Sequence, residues 1–331
     1  MSSGARQDVS LLHYRPWRGD FRGPVWGVWP IARTALGMLL RRRLFWFLYA
    51  SGLLIFLMFF FGTLLLDWAQ TQLTNMPFKI ASGEKTFDSE AMVRMIRRNL
   101  RALNGSQETF AYFFMYQGAM LMVVLALAGS VLVGNDFAFG SLPFYLGKPI
   151  SRWHYVLGKC LAVGVVVNLL TTLPALILYA QHGLDEWDYF VDPDFFWRTN
   201  TGVGPAGLPL LLGILGYGLL LTVCLSVMLV TTASWVRRTV PMIMIWTTIF
   251  LFFRLLAGIL VDGLQYHERW RLIDLWNNLR LLGYACLGIE HRRVVPFPQP
   301  ALHEAALALG AVCLLCLIYL GLRTRAVEIV R

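Results

Sequence analysis

The sequence predicts an all-α membrane protein built on six transmembrane helices. Three observations carry this. Only 15% of the 331 residues are charged while 57% are apolar, where a soluble domain carries roughly 25% charged residues. Six apolar runs fall near 44–66, 110–134, 156–180, 208–234, 240–261 and 301–322, each long enough to cross hydrocarbon about 30 Å thick, which takes about 20 residues. They are too long for single strands, and a helix satisfies its own backbone groups in lipid, so a helical bundle follows. The chain divides into a polar lead (1–24), a basic amphipathic stretch (25–43), the six-helix domain (44–322) and a short basic end (323–331).

Residues 1–24 are polar and rich in Gly and Pro, which predicts a flexible segment. The next stretch, "VWGVWPIARTALGMLLRRR", mixes Trp26, Trp29, Ile31, Leu36, Leu39 and Leu40 with Arg33 and Arg41–Arg43. A helix of that composition lies along a membrane surface; a solvated tail with a few anchors is the plainer alternative. The first apolar run starts only at Leu44, which predicts an uncleaved anchor rather than a signal peptide.

Orientation follows the excess of Lys and Arg near span ends. With both termini inside, the inner segments hold 16 bases against 4 acids and the outer ones 12 bases against 15 acids. The net charge of +10 then reads as a topology signal with a share for anionic lipid, not for nucleic acid. Residues 67–109 argue the other way, since Arg94, Arg97, Arg98 and Arg101 stand close to the second span. The Arg41–Arg43 triplet at the first span outweighs them. The expected location is the bacterial inner membrane, with both termini cytoplasmic.

Three outer segments have distinct chemistry. In the first, Met92, Val93, Ile96, Leu100 and Leu103 recur at helical spacing after Asp88 and Ser89, which predicts an amphipathic helix. The second, "DEWDYFVDPDFFW", is acidic and aromatic; its spacing fits no standard calcium loop. The third, from Tyr266 to Pro300, alternates Leu272, Ile273, Leu275, Trp276, Leu279 and Leu282 with Asn and Arg. It is too polar to span and predicts one or two short helices dipping into the outer leaflet, tolerable where protein covers the backbone. His267, His291 and His303 lack ligand spacing and read as surface residues.

Polar residues inside the spans are few. Arg254 must face the bundle interior or snorkel, and the sequence does not choose between a functional path and snorkelling. Asn168 and Gln117 can bond across helices and join Arg254 as a candidate intramembrane polar site. Pro174 is placed to kink the third span. Ala126, Ser130 and Gly134 repeat at four-residue spacing, which lets helices approach closely. Cys313 and Cys316 form a C-x-x-C inside an apolar run and read as small apolar residues rather than a redox or metal pair. No metal and no catalytic group is expected in this chain.

The most informative segment joins the second and third spans: "GNDFAFGSLPFYLGKPISRWHYVLGK", Gly134–Lys159. Asn135 and Asp136 can cap a short helix. Phe137, Phe139, Leu142, Phe144, Tyr145 and Leu146 would cover it, and a cytosolic loop so aromatic suggests a docking surface for another protein. Gly147, Pro149 and Ser151 then break it before the next helix. A phosphate-binding loop needs G-x-x-x-x-G-K-[ST]. Lys148 is followed by Pro149 and Lys159 by Cys160, so neither lysine completes one.

The pattern Asp136, Gly140, Ser141, Leu142, then Pro149, Ile150, Ser151, Arg152, then Tyr155, Leu157, Gly158, Lys159 resembles the cytoplasmic loop of ABC-2 type permeases. These are the membrane subunits of ABC transporters, including the copper-enzyme-maturation and gliding-motility group. The closing "RTRAVEIVR" is similar to that group's cytoplasmic end. The resemblance implies a type V exporter-like bundle with an N-terminal interfacial elbow helix. It implies two such subunits, identical or not, with two ATPase subunits below that bind ATP and Mg. It implies an ATPase-coupling helix carrying Asp136, Phe137, Phe139, Gly140, Leu142, Phe144, Tyr145, Leu146, Pro149 and Arg152. The expected function is a non-catalytic permease subunit of an ATP-driven exporter. A secondary transporter driven by an ion gradient is the alternative; it would call for inverted repeats and buried acids, which the sequence does not display. A membrane-embedded enzyme would need a nucleophile–base pair facing one cavity, also absent from the pattern.

Overall fold

The computed structural model describes residues 24–75, 79–82, 85–88, 103, 107–134, 136, 152–185, 208–236, 238–289, 294 and 297–325. Six helices are long and apolar enough to cross a membrane: Arg43–Leu66, Gln107–Gly134, Trp153–Gln181, Leu208–Trp235, Thr239–Gly263 and Leu302–Arg323. They match the apolar runs to within about one helical turn.

In chain order, a 3-10 turn at Pro24–Gly27 leads into α1, Val28–Leu40. Helix α2, Arg43–Asn75, holds the first span. A two-stranded antiparallel hairpin follows, β1 (Lys79–Ser82) paired with β2 (Lys85–Asp88), with Lys79 opposite Asp88. Sequence reading gave no strand there; among the described residues it is a small ribbon beside helices. Helix α3, Gln107–Gly129, continues through a π turn at Ser130–Gly134 as the second span. The third span is α4, Arg152–Leu170, and α5, Thr172–Asp185. The two part at Thr171, three residues before Pro174, whose missing N–H leaves the Leu170 carbonyl without its helical donor. The fourth span is α6, Leu208–Trp235. The fifth contains α7 (Thr239–Thr247) and α8 (Phe253–Gly258), with π turns at Thr248–Phe252 and Ile259–Gly263. A 3-10 turn at Glu268–Ile273 and α9, Leu275–Cys286, form the segment before the sixth span, α10, Leu302–Arg325.

The second, third and fourth spans make the centre: 67%, 61% and 56% of their apolar windows are buried. The first, fifth and sixth are buried over only 22%, 17% and 17%, so most of their apolar surface faces outward. Without water to drive association, such spans pack through small residues. At Gly129 an added Cβ would lie 2.7 Å from Met242 and 2.8 Å from Leu229. The close approach is thus at Gly129, within the Ala126–Gly134 stretch of small residues. Gly118 serves α9 in the same way: Trp276 occupies the space beside it, 2.1 Å from where a Cβ would be.

Helix α1 is not a tail. Ile31, Ala32, Ala35 and Leu39 are buried, and α1 packs along α4. Gly158 permits the contact, since its Cβ would sit 2.8 Å from Ile31 Cβ and 3.0 Å from the Val28 carbonyl oxygen. Trp26 and Trp29 stay exposed on the other side.

In the segment before the sixth span the described residues include a 3-10 turn and α9. Asp274 caps α9 by accepting from the Asn277 backbone amide at 3.0 Å, satisfying a donor the helix cannot. Gly288, at φ 71°, follows its end, a conformation that suits glycine. Arg271 pairs with Asp262 at 2.5 Å and Arg269 with Glu304 at 2.8 Å, tying this segment to the fifth and sixth spans. His267 and His303 are exposed, and His267 accepts from the Arg269 backbone amide. Leu103 packs on Gly62 of the first span; the rest of the helix predicted after Ser89 lies outside the described residues.

Candidate functional site

The second span ends in a π turn, whose extra residue per turn changes where the following side chains point. Just beyond it, Asp136 is buried, 6% exposed, and so is Lys159 of α4, 1% exposed. Lys159 Nζ lies 2.6 Å from Asp136 Oδ2. The same ammonium donates to the Leu132 carbonyl oxygen at 2.6 Å, a group in the last turn of a helix, where backbone acceptors lack intrahelical partners. Tyr155 donates its hydroxyl to Asp136 Oδ2 at 3.0 Å. Tyr155 and Lys159 stand one helical turn apart, on one face of α4, and the ammonium sits 5.6 Å from the Tyr155 ring centroid.

Each charge therefore has an opposite charge and a further hydrogen bond. That matters because an ion withdrawn from water needs both to offset several kcal/mol of desolvation. The cluster joins the end of the second span to the start of the third. The neighbouring Gly158 holds α1 against the same turn of α4. Three motif positions, Tyr155, Gly158 and Lys159, thus serve one junction of three helices. Ser130 adds a tie to the fifth span, its hydroxyl 2.9 Å from that of Thr239.

Sequence reading makes Asp136 a helix cap on the docking loop; the residues such a helix would contain lie outside the described ones. The Asp136 carboxylate turns inward to Lys159 and Tyr155, a counter-charge for the buried ammonium. Phe137, Phe139, Gly140, Leu142, Phe144, Tyr145, Leu146 and Pro149 lie outside the described residues. Arg152 is the first residue of α4. Tyr155 and Lys159 were within the motif but not among the candidate site residues. Their spacing from Asp136 was visible, but the π turn that aims Asp136 at them was not.

Of the intramembrane polar residues, Asn168 donates to the Gly164 carbonyl and to the Thr222 hydroxyl, both at 2.8 Å, linking the third and fourth spans. Gln117 is 1% exposed with Oε1 unpaired, beside Gly52 of the first span. Arg254 is exposed on the fifth span. No hydrogen bond joins these three, and they have different neighbours. Arg254 instead stands in α8, between two π turns, at the edge of a cavity of about 380 Å³ whose walls come from the second and fifth spans and Trp276.

Helix α9 contributes buried polar groups that the sequence showed only as Asn and Arg among apolar positions. Arg280 donates to Asn277 Oδ1 at 2.9 Å, and Asn277 donates to Gln299 Oε1 at 2.8 Å. Burial pushes the Asp274 carboxyl above its ordinary pKa, and the Asn277 amide, Arg280 and Arg254 partly offset this. Among the described residues no group of three or more His, Cys, Asp or Glu is placed to hold a metal ion. Cys313 and Cys316 pack against the apolar core. The acidic loop after the third span lies outside the described residues beyond Asp185, the last residue of α5.

A family model described as "ABC-2 family transporter protein" matches residues 29–323. No curated protein matches the chain.

Proposed function

The chain belongs to the ABC-2 transporter family and is a multi-pass membrane permease component of an ABC transporter; from that premise we propose that it is the membrane subunit of an ATP-driven exporter in the bacterial inner membrane. Both termini face the cytoplasm in this reading, as the balance of basic residues favours. Two separate ATPase subunits bind ATP and Mg and dock against the loop between the second and third spans. A second permease subunit, identical or related, completes the bundle.

The observation that carries this reading is the buried Asp136–Lys159 pair with Tyr155. A loop that only connected two spans would not need a desolvated ion pair at its base. A loop that is pushed does, because slack between the two helix ends would absorb the movement. The pair ties those ends, and α1 rests on the same turn. Displacement of Phe137–Leu146 by an ATPase then moves the second span, third span and α1 as one body.

The test is capture of the ATPase by the intact permease, and the stimulation of its activity. In the Phe139→Asp plus Tyr145→Asp variant, both should be lost while the permease still inserts and folds. Unchanged capture and stimulation would remove the loop from the contact.

A further inference from the structure

Two cavities border the second span on adjoining faces. The larger, about 380 Å³, is walled by Met122, Ala126, Ile243, Trp246 and Phe250, with Arg254 as the only charged group among its described lining residues. The smaller, about 130 Å³, lies where α1 meets the first span, walled by Leu39, Phe45, Val124 and Val131, with Arg42 as the only charged group among its described lining residues. Leu127 lines both. Each cavity therefore pairs apolar walls with a single guanidinium, and one side chain stands between them.

Neither arginine is held by an acid among the described residues. The ion pairs there are Lys159–Asp136, Arg269–Glu304 and Arg271–Asp262. Asp274 interacts with Arg254 through space but forms no ion pair with it. Val123, Leu251 and Leu44, at the edges of the cavities, are exposed, so both open on the outer surface of the bundle, where lipid would be. At 1.5 Å per residue, Arg254 is about 14 Å from the end of the fifth span at Gly263, while Arg42 immediately precedes the first span. At the depth of Arg254 an unpaired guanidinium is expensive unless an anion joins it, whereas Arg42 meets the membrane surface.

We propose that these cavities are two stations for an amphiphile with one hydrocarbon chain and an anionic head, a carboxylate or a phosphate. The head pairs with Arg42 at the membrane surface and with Arg254 deeper in the membrane, and the chain lies on the apolar wall past Leu127. The larger cavity is at the low end of the range for small-ligand pockets, about 300–1,000 Å³, which suits one chain better than two. A guanidinium offers two parallel donors to a carboxylate or phosphate. This rests on the exporter reading, for which it names the cargo class.

The full chain in phosphatidylcholine nanodiscs is exposed to a photoreactive long-chain fatty acid and, separately, to the matching alcohol. The carboxylate should label peptides holding Met122–Leu127 and Ile243–Phe250 far more than the alcohol does. Labelling near Phe250 should fall roughly tenfold or more in Arg254→Gln, the weight of one charge-assisted contact, and return in Arg254→Lys. Arg42→Gln should lower labelling near Phe45 alone. Equal labelling by both probes, or no response to Arg254→Gln, overturns the proposal. So does efficient disulfide cross-linking between copies carrying Val123→Cys, which would make a second copy the occupant. A resident lipid is separated from cargo by adding the ATPase with ATP: cargo shifts from the Arg42 to the Arg254 station, whereas an unchanged distribution during hydrolysis overturns the path. Labelling of the isolated chain does not involve the coupling loop. It therefore stands or falls independently of the Phe139→Asp plus Tyr145→Asp result.

Discussion

Lys159 Nζ stands 2.6 Å from both the Asp136 carboxylate and the Leu132 carbonyl oxygen, 1% exposed, at the point where the second and third spans meet. One ammonium thus closes a loop whose two ends are 23 residues apart in sequence.

Removing one partner of that pair leaves a buried charge without a counter-charge, at a cost of about 3–5 kcal/mol. Asp136→Asn and Lys159→Met should each melt well below the parent in detergent. The double variant should recover most of the loss, because two neutral groups need no mutual charge. ATP-driven transport should not recover with it if the pair transmits motion. A double variant with full transport would reduce the pair to a packing element.

Gly158→Val tests the seat of α1. Its Cβ would fall 2.8 Å from Ile31 Cβ and 3.0 Å from the Val28 carbonyl oxygen, and backbone cannot yield as a side-chain tip can. Overpacking of this kind costs about 1–3 kcal/mol. The readout is faster modification of a cysteine introduced at Ala35, which is buried in this contact.

Gly118→Ala should displace α9, since Trp276 Cη2 lies 2.1 Å from the new Cβ. Stability falls, and adding Trp276→Leu restores part of it by clearing the space. If the double variant is no better than the single, Trp276 is not the obstructing group.

Asp274 separates capping from charge. Asp274→Asn keeps an N-cap and should be close to neutral, whereas Asp274→Ala should lose about 1 kcal/mol. Its folded pKa is raised above the unfolded value, chiefly by burial. The protonated form is therefore bound more tightly when folded, and the stability linked to it is lost as pH rises through the raised pKa. Melting temperatures of the parent relative to Asp274→Asn should fall with rising pH across that range. A difference independent of pH would show the carboxyl to be unshifted.

The spans were legible because crossing lipid is a requirement on length and composition alone, read locally along the chain. The first span, expected over 44–66, is found at Arg43–Leu66, and the fourth, expected over 208–234, at Leu208–Trp235. The helix before the sixth span was legible too, because Leu279 and Leu282 recur with the helical period. The hairpin at Lys79–Asp88 was not: it is short, polar and without an alternating pattern. Arg254 was recognisable as costly, but not as the edge of a cavity, since a cavity is made by residues distant in sequence.

The sequence by itself determined a six-span helical membrane protein, its family motif and the residues in that motif, because hydrophobic length and local composition act over one segment at a time. Only the tertiary structure decided that Asp136 turns inward to Lys159 and Tyr155, that Gly158 receives α1, and that Arg42 and Arg254 edge cavities sharing Leu127. These depend on where a π turn aims a side chain and on which helices lie side by side, and both are set by packing between distant segments.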